Sequence, residues 1–382
     1  MIQFIGLGNC GSRITKILDD FYKKSKMYVP SLYINFDKID MMEIDSIPKK
    51  QKLLLEGFGT GRSPIKGEEF ALKHKKTIKD FLVNNCRQDR HIIGIFGAGG
   101  GSGSGLAPVV SSILHQAGYK HGFVLTFPDS TSNSDLNTNQ NAIITLNKML
   151  KLDTNFRPFI FVDNQNLLDH LKFNDSNYWG EINTYIAESV ISLVELFDDD
   201  GRINSEKGIS NLDVGELKRI FATEGLMDIR YLVIPQQQLS RPDFLKEFAE
   251  RVKNDESLCG KYDLKETLSY ACTVITNKEF SNFSVVQGIF DTISKLTPGA
   301  SIRRHSTIIK EKVEDGFYSE RDIPIIKVIL VASGFKLPKH INQKIKKIKS
   351  DSEKYLKTKS KESKVLLTED SLNLFKPDDF DI

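Results

Sequence analysis

The run "FGAGGGSGSG" at residues 96–105 constrains this chain more than any other stretch. It follows the apolar segment "HIIGI" and leads into a helix-like apolar pattern. Glycines at 97, 99, 100, 101, 103 and 105 admit positive φ and close approach, so successive backbone N–H groups can turn into one concavity and wrap the oxygens of a phosphate. The pattern predicts a helix from Ser104 whose positive end faces the same anion, with the Ser102 and Ser104 hydroxyls as further donors. Pro108 then falls in the first turn, where its missing N–H is no loss. No Lys follows the glycines as GK[ST], so this is not a phosphate loop of the Walker type.

The opening "MIQFIGLGNCGSR" offers a second glycine turn, Gly6-x-Gly8-x-x-Gly11, between a short apolar run and a helical pattern. Alone, that spacing is a weak signal. Asp37 ends the strand-like "YINFD", where a dinucleotide-binding fold places its ribose-binding acid. An NAD-dependent oxidoreductase is therefore one reading, and it leaves residues 97–105 unexplained.

Up to about residue 170 the runs "MIQFI", "SLYIN", "HIIGIF", "GFVLTF" and "RPFIFV" alternate with helical patterns over 12–24, 67–84, 104–117 and 135–150. Such alternation predicts an α/β fold with a mostly parallel sheet, helices on both faces and a ligand at the carboxyl ends of the strands. Ile182, Ile186, Val190, Leu193, Val194 and Phe197 recur at helical spacing over 175–197, a bridging helix of about 30 Å. Further strands, "YLVIP", "TLSYACTVIT", "ASIRRHSTIIK" and "IPIIKVILVAS", with helices over 242–253 and 284–295, predict a smaller second α/β domain. The expected division is a nucleotide-binding domain over 1–174, the central helix 175–197, a catalytic loop and helix over 198–225, a second domain over 226–335, and a charged helical tail over 336–382. In that tail Ile341, Ile345 and Ile348 form a sparse stripe among lysines, read as a solvated segment or a docking element.

The charges nearly cancel, 53 basic against 50 acidic residues, so no overall field points to nucleic acid. Cys10, Cys86, Cys259 and Cys272 lack CxxC spacing and nearby His clusters, which argues against a protein metal site and a disulfide framework and favours the cytoplasm. No stretch approaches the ~20 apolar residues of a membrane span.

"GAGGGSGSG" resembles the tubulin/FtsZ signature GGGTGTG, with Ser102 in place of Thr. Other motifs follow in the family's order. "GLGNCGSR" is similar to the first nucleotide loop, "NFD" at 35–37 to the second, "GFGTGRSPIKG" at 57–67 to the third, and "VDNQNL" at 162–167 to the loop that supplies an Asn to guanine. The resemblance implies a GTPase that uses GTP/GDP and Mg²⁺. Its nucleotide would lie among Gly8, Asn9, Cys10, Gly11, Asp37, Gly59, Thr60, Gly61, Gly99, Gly100, Gly101, Ser102, Gly103 and Ser104. Asn164, Trp179 and Asn183 would hold the base; Trp179 and Asn183 are four apart and so share a helical face. Ribose would meet Pro128 and Asp135, with Ser132 where relatives carry Glu. Arg62 would reach either the γ-phosphate or solvent.

"SNLDVGE" at 210–216 resembles the family's seventh loop, which implies that Asn211, Asp213 and Glu216 complete hydrolysis in the neighbouring subunit of a head-to-tail filament. Glu216 stands where FtsZ has Asp. The TubZ-like group of plasmids and phages fits best, implying DNA segregation through a DNA-binding adaptor on the tail rather than direct sequence-specific contact with DNA. A divergent FtsZ-like division GTPase and a non-polymerising nucleotide-binding regulator remain as alternatives.

Overall fold

The computed structural model describes residues 2–23, 28–129, 136–152, 155–171, 178–196, 212, 214–254, 257–277, 283–309 and 325–362. Strand and helix alternate from the start: β1 (Ile2–Leu7), α1 (Gly8–Tyr22), β2 (Leu32–Asp37), α2 (Lys38–Met42), β3 (Lys52–Gly57), α3 (Pro64–Lys73), α4 (Lys75–Asn85), β4 (His91–Gly97), α5 (Ser102–Gln116), β5 (His121–Phe127), α6 (Leu136–Lys151), β6 (Phe159–Asp163) and α7 (Asn164–His170). Then come α8 (Tyr178–Glu195), α9 (Val214–Phe221), β7 (Leu226–Pro235), α10 (Phe244–Asn254), β8 (Ser269–Thr276), α11 (Phe283–Leu296), β9 (Ile302–Ile309), β10 (Ile325–Phe335) and α12 (Lys339–Glu362).

The strands form one sheet in the order β3-β2-β1-β4-β5-β6-β7-β10-β8-β9. It is parallel from β3 to β7, β10 runs antiparallel to both of its neighbours, and β8 and β9 are again parallel. Alternation along each strand sends side chains to opposite faces. Ile5 and Leu7 join the core under α3, α4, α5, α6, α10, α11 and α12, while Ile2 and Phe4 join the core under α1, α8 and α9. Helices therefore cover both faces. The chain leaves β1 in one direction for β2 and β3 and returns on its other side for β4, so the loops at the carboxyl ends of β1 and β4 diverge and leave a crevice.

α8 buries Ile182, Ile186, Val190, Leu193 and Val194, the stripe its periodicity predicts, against α1 and β7; Phe197 lies outside the described residues. Three local expectations are corrected. The helix expected over 67–84 is two, because His74 leaves helical geometry (φ −99°, ψ 15°) where its ring meets Glu56 Oε1 at 2.7 Å. α5 starts at Ser102 rather than Ser104, which puts Pro108 in the second turn, its ring replacing the N–H that would have met the Ser104 carbonyl. The stripe Ile341, Ile345 and Ile348 is neither solvated nor a docking face: α12 packs these residues into the main core beside α6. Among the described residues no helix is long and apolar enough to cross a membrane.

Two histidines make stability pH-dependent. His121 is buried at the start of β5, its Nδ1 facing the Tyr119 carbonyl and its Nε2 facing Ser111 Oγ, both at 3.1 Å. Burial pulls its pKa down to about 4, and that of His91 likewise. The unfolded chain binds these protons from about pH 6.5 downward and the folded chain only near pH 4. Stability therefore falls as pH drops through that window, by up to about 1.4 kcal/mol per pH unit for each group. In denaturant titrations across this range, His121→Gln is expected to show a shallower loss than the wild type; equal slopes would refute the assignment.

Candidate nucleotide site

A cavity of about 740 Å³ opens at the carboxyl ends of β1, β2, β4, β5 and β6. Its floor is the glycine run. Gly99, Gly100, Gly101, Ser102 and Gly103 all line it, and α5 begins there with no side-chain cap and no acidic residue in its first turn. The first backbone bond closing the helix is Gly105 N–H to the Gly101 carbonyl at 3.0 Å, so the amides of Ser102, Gly103 and Ser104 precede it and are donors for an anion. Ser104 is buried and does not line the cavity. Its hydroxyl donates to the Ala98 carbonyl (2.8 Å) and the Gly97 carbonyl (3.1 Å), which shapes the loop and corrects the expectation of a ligand-facing hydroxyl.

The second wall is the start of α1, also without a side-chain cap. Asn9 and Cys10 line the cavity; Gly8 and Gly11 do not, because they are spent on packing. Gly8 takes φ +68°, and a Cβ there would sit 2.6 Å from Gly103 N, so it lets the two helix starts meet. Gly11 lies against the Ile95 carbonyl. The Cys10 thiol is 3.4 Å from Thr126 Oγ1, and burial pushes its pKa up, which makes it a packed group and no nucleophile.

Asp37 caps α2, accepting from Ile39 N–H at 2.7 Å and Asp40 N–H at 3.3 Å, and lines the cavity with Asp40. Asp40 accepts from Asn9 Nδ2 (2.9 Å) and Asn35 Nδ2 (3.2 Å), and burial raises its pKa. The loop before α3 supplies Gly59, Thr60, Gly61 and Arg62. Arg62 sits at φ +61°, an uncommon conformation for a side-chain-bearing residue, and Asn141 of α6 holds it by donating to its carbonyl at 2.6 Å. The same Asn141 Nδ2 lies 3.4 Å from the Gly99 carbonyl, so one side chain ties two loops of the cavity together.

The far end carries an aromatic ring and two amide side chains. Trp179 and Asn183 face the cavity from successive turns of α8, with Trp179 38% exposed and its ring 4.9 Å from that of Tyr178. Asn164 opens α7, and its Oδ1 is buried with no hydrogen-bond partner among the described residues. A donor-bearing edge would satisfy it.

Residues 1–172 match the Tubulin/FtsZ family, GTPase domain. The chain carries a GTPase domain of the tubulin/FtsZ family. Tubulin-like protein TubZ of Bacillus cereus is 24% identical over 387 residues, covering 95% of this chain and 86% of TubZ. Two solved structures share the fold of nearly the whole chain. A GTPγS-bound protofilament of CetZ2 from Haloferax volcanii superimposes with a TM-score of 0.74 at 16% identity, covering 93% of this chain and 99% of CetZ2. A GTPγS-form protofilament of TubZ from Bacillus thuringiensis serovar israelensis gives 0.73 at 16% identity, covering 94% of each chain. The GTPase assignment removes the oxidoreductase reading of the first glycine turn.

Arg13, Asp40, Phe58, Thr126 and Thr138 also line the site of this GTPase domain and were not singled out by motif. Thr126 offered only the signal of a polar residue near the carboxyl end of the apolar run "GFVLTF"; Phe58, 94% exposed, stood visible as an aromatic within a glycine loop. Pro128 lines the cavity, whereas Ser132 and Asp135 lie outside the described residues. Asn211 and Asp213 also lie outside them. Glu216, in the first turn of α9, does not line the cavity and forms an ion pair with Arg304 of β9.

Proposed function

We propose that this GTPase assembles head to tail into filaments and that each subunit's nucleotide is hydrolysed with groups from its neighbour. The observation that carries this reading is the separation of parts: the glycine run, the start of α5, Asn164, Trp179 and Asn183 line the cavity, while Glu216 stands on α9 and does not line it. In this reading the amides at the starts of α1 and α5 and of the glycine run bind the phosphates, Trp179 stacks on guanine, and Asn164 and Asn183 hydrogen-bond its edge. The unpartnered Asn164 Oδ1 is matched by the N–H donors of guanine. Mg²⁺ fits the donor set, since Asp37 and Asp40 present oxygens at the cavity and Asn9 Oδ1 is buried without a partner among the described residues. When bound, the ion supplies charge neutralisation of the phosphates.

Phosphoryl transfer to water depends mainly on positioning and charge stabilisation. Asn211, Asp213 and Glu216 of an incoming subunit would orient the water. A head-to-tail contact is heterologous, and when its rotation does not close it generates filaments. In this reading the filament moves plasmid or phage DNA, with a DNA-binding adaptor protein on the charged C-terminal tail, 336–382.

The test is 90° light scattering on addition of GTP and Mg²⁺. The wild type is expected to rise and then decay as GTP is spent, while Asp213→Ala rises and persists with turnover lowered about 100-fold or more. Absence of any rise in the wild type would remove the filament reading.

A further inference from the structure

α12 reaches the nucleotide site through Lys344, with His340 beside it. Lys344 of α12 donates from Nζ to the Pro128 carbonyl at 2.6 Å and to Asp163 Oδ1 at 3.1 Å, and its ammonium stands 5.1 Å from the centre of the Phe127 ring. Both acceptors belong to walls of the cavity. Pro128 lines it directly, and Asp163 is the residue before Asn164 and the cap of α7, its Oδ1 accepting from Gln165 N–H at 3.2 Å. His340, one turn earlier on α12, places Nε2 3.6 Å from Asp163 Oδ2. On the other side, Asp163 N–H donates to the Leu258 carbonyl at 3.1 Å, so the start of α7 is held between α12 and the segment before β8.

The geometry points to Lys344 as a positioning residue for nucleotide recognition: by bridging Pro128 and Asp163 it sets the separation of the β5 and β6 loops and the placement of Asn164. This rests on the proposed contact of Asn164 with guanine. Asp163 is nearly fully buried and Lys344 largely so, so the charge-assisted bonds are shielded from water. α12 itself is anchored independently by Ile341, Ile345 and Ile348. Removing the ammonium therefore loosens the loops without removing the helix.

The experiment compares binding of GDP and IDP, whose base lacks the 2-amino group, by titration calorimetry on the full chain. Lys344→Met keeps the apolar stem over Phe127 and deletes the donors. It is expected to lower GDP affinity about tenfold and to narrow the preference for GDP over IDP; the thermal midpoint of the nucleotide-free protein falls as well, because the buried Asp163 carboxylate loses its cation, so the GDP/IDP ratio is the readout that a merely structural role would not move. Lys344→Arg is expected to restore the preference. Asp163→Asn keeps a capping acceptor but loses the charge, and gives the same narrowing should Lys344→Met fail to fold. An unchanged GDP/IDP ratio in a folded variant overturns the positioning role. A wild type that binds neither nucleotide, or binds both equally, would instead overturn the base-contact reading on which it rests.

Discussion

Gly101→Ala is expected to lower affinity for both GTP and GDP about 100-fold. The backbone at Gly101 is right-handed (φ −100°, ψ −48°), so alanine suits the dihedral angles and the penalty is purely one of space. A Cβ there would lie 2.0 Å from Thr60 Oγ1, 2.7 Å from Ser63 N and 2.9 Å from the Arg62 carbonyl carbon. A hydroxyl can rotate away, but Ser63 N and the Arg62 carbonyl belong to backbone that Asn141 holds. The loop before α3 and the start of α5 are thus forced apart, and they are two walls of one cavity. Gly100→Ala is the matched control: its Cβ meets no atom within 4 Å, so the thermal midpoint of the nucleotide-free protein should match the wild type. Equal nucleotide affinity in Gly101→Ala and the wild type, by fluorescence titration, would show that the loop contact is dispensable.

Asp228→Ala is expected to cost about 3–5 kcal/mol of stability. Asp228 and Arg230 sit two residues apart on β7 and so on one face of the sheet, at 1% and 0% exposure. Arg230 Nε donates to Asp228 Oδ2 at 2.8 Å, and Ser257 Oγ donates to Asp228 Oδ1 at 2.7 Å. Deleting the carboxylate strands a buried guanidinium. The pair itself need not be stabilising, because both charges have lost their water. The double variant Asp228→Leu/Arg230→Met should therefore recover much of the loss in urea unfolding. If the single replacement were neutral, the guanidinium would have to be solvated in the folded protein.

The parts of the fold legible in the sequence were those governed by local rules. The stripe from Ile182 to Val194 carries its period openly, "HIIGIF" is a short continuous apolar run, and the glycine run sits between strand and helix with little room for another reading. β3 was not legible. Its "KLLLEG" forms an edge strand with Leu54 exposed, so no alternation of buried and polar residues marks it. Trp179 and Asn183 could be placed on one face because both lie on a single helix. Arg13, Asp40, Thr126 and Thr138 come from four different elements, and only folding brings them to the same cavity. The Ser104 hydroxyl was misread because its direction depends on where α5 starts, two residues earlier than the glycine pattern suggested. Likewise Ile341, Ile345 and Ile348 look sparse among lysines, yet three isoleucines at helical spacing suffice to seat α12 when a core face is there to receive them.

The measurement that bears most directly on hydrolysis shared between subunits is GTP turnover per subunit as a function of protein concentration, with GTP and Mg²⁺ saturating. Completion of the site by a neighbour requires turnover per subunit to be near zero at high dilution and to climb steeply above a threshold concentration, together with light scattering. A turnover per subunit that stays constant across that range would mean that each chain hydrolyses GTP alone, and would contradict the head-to-tail mechanism.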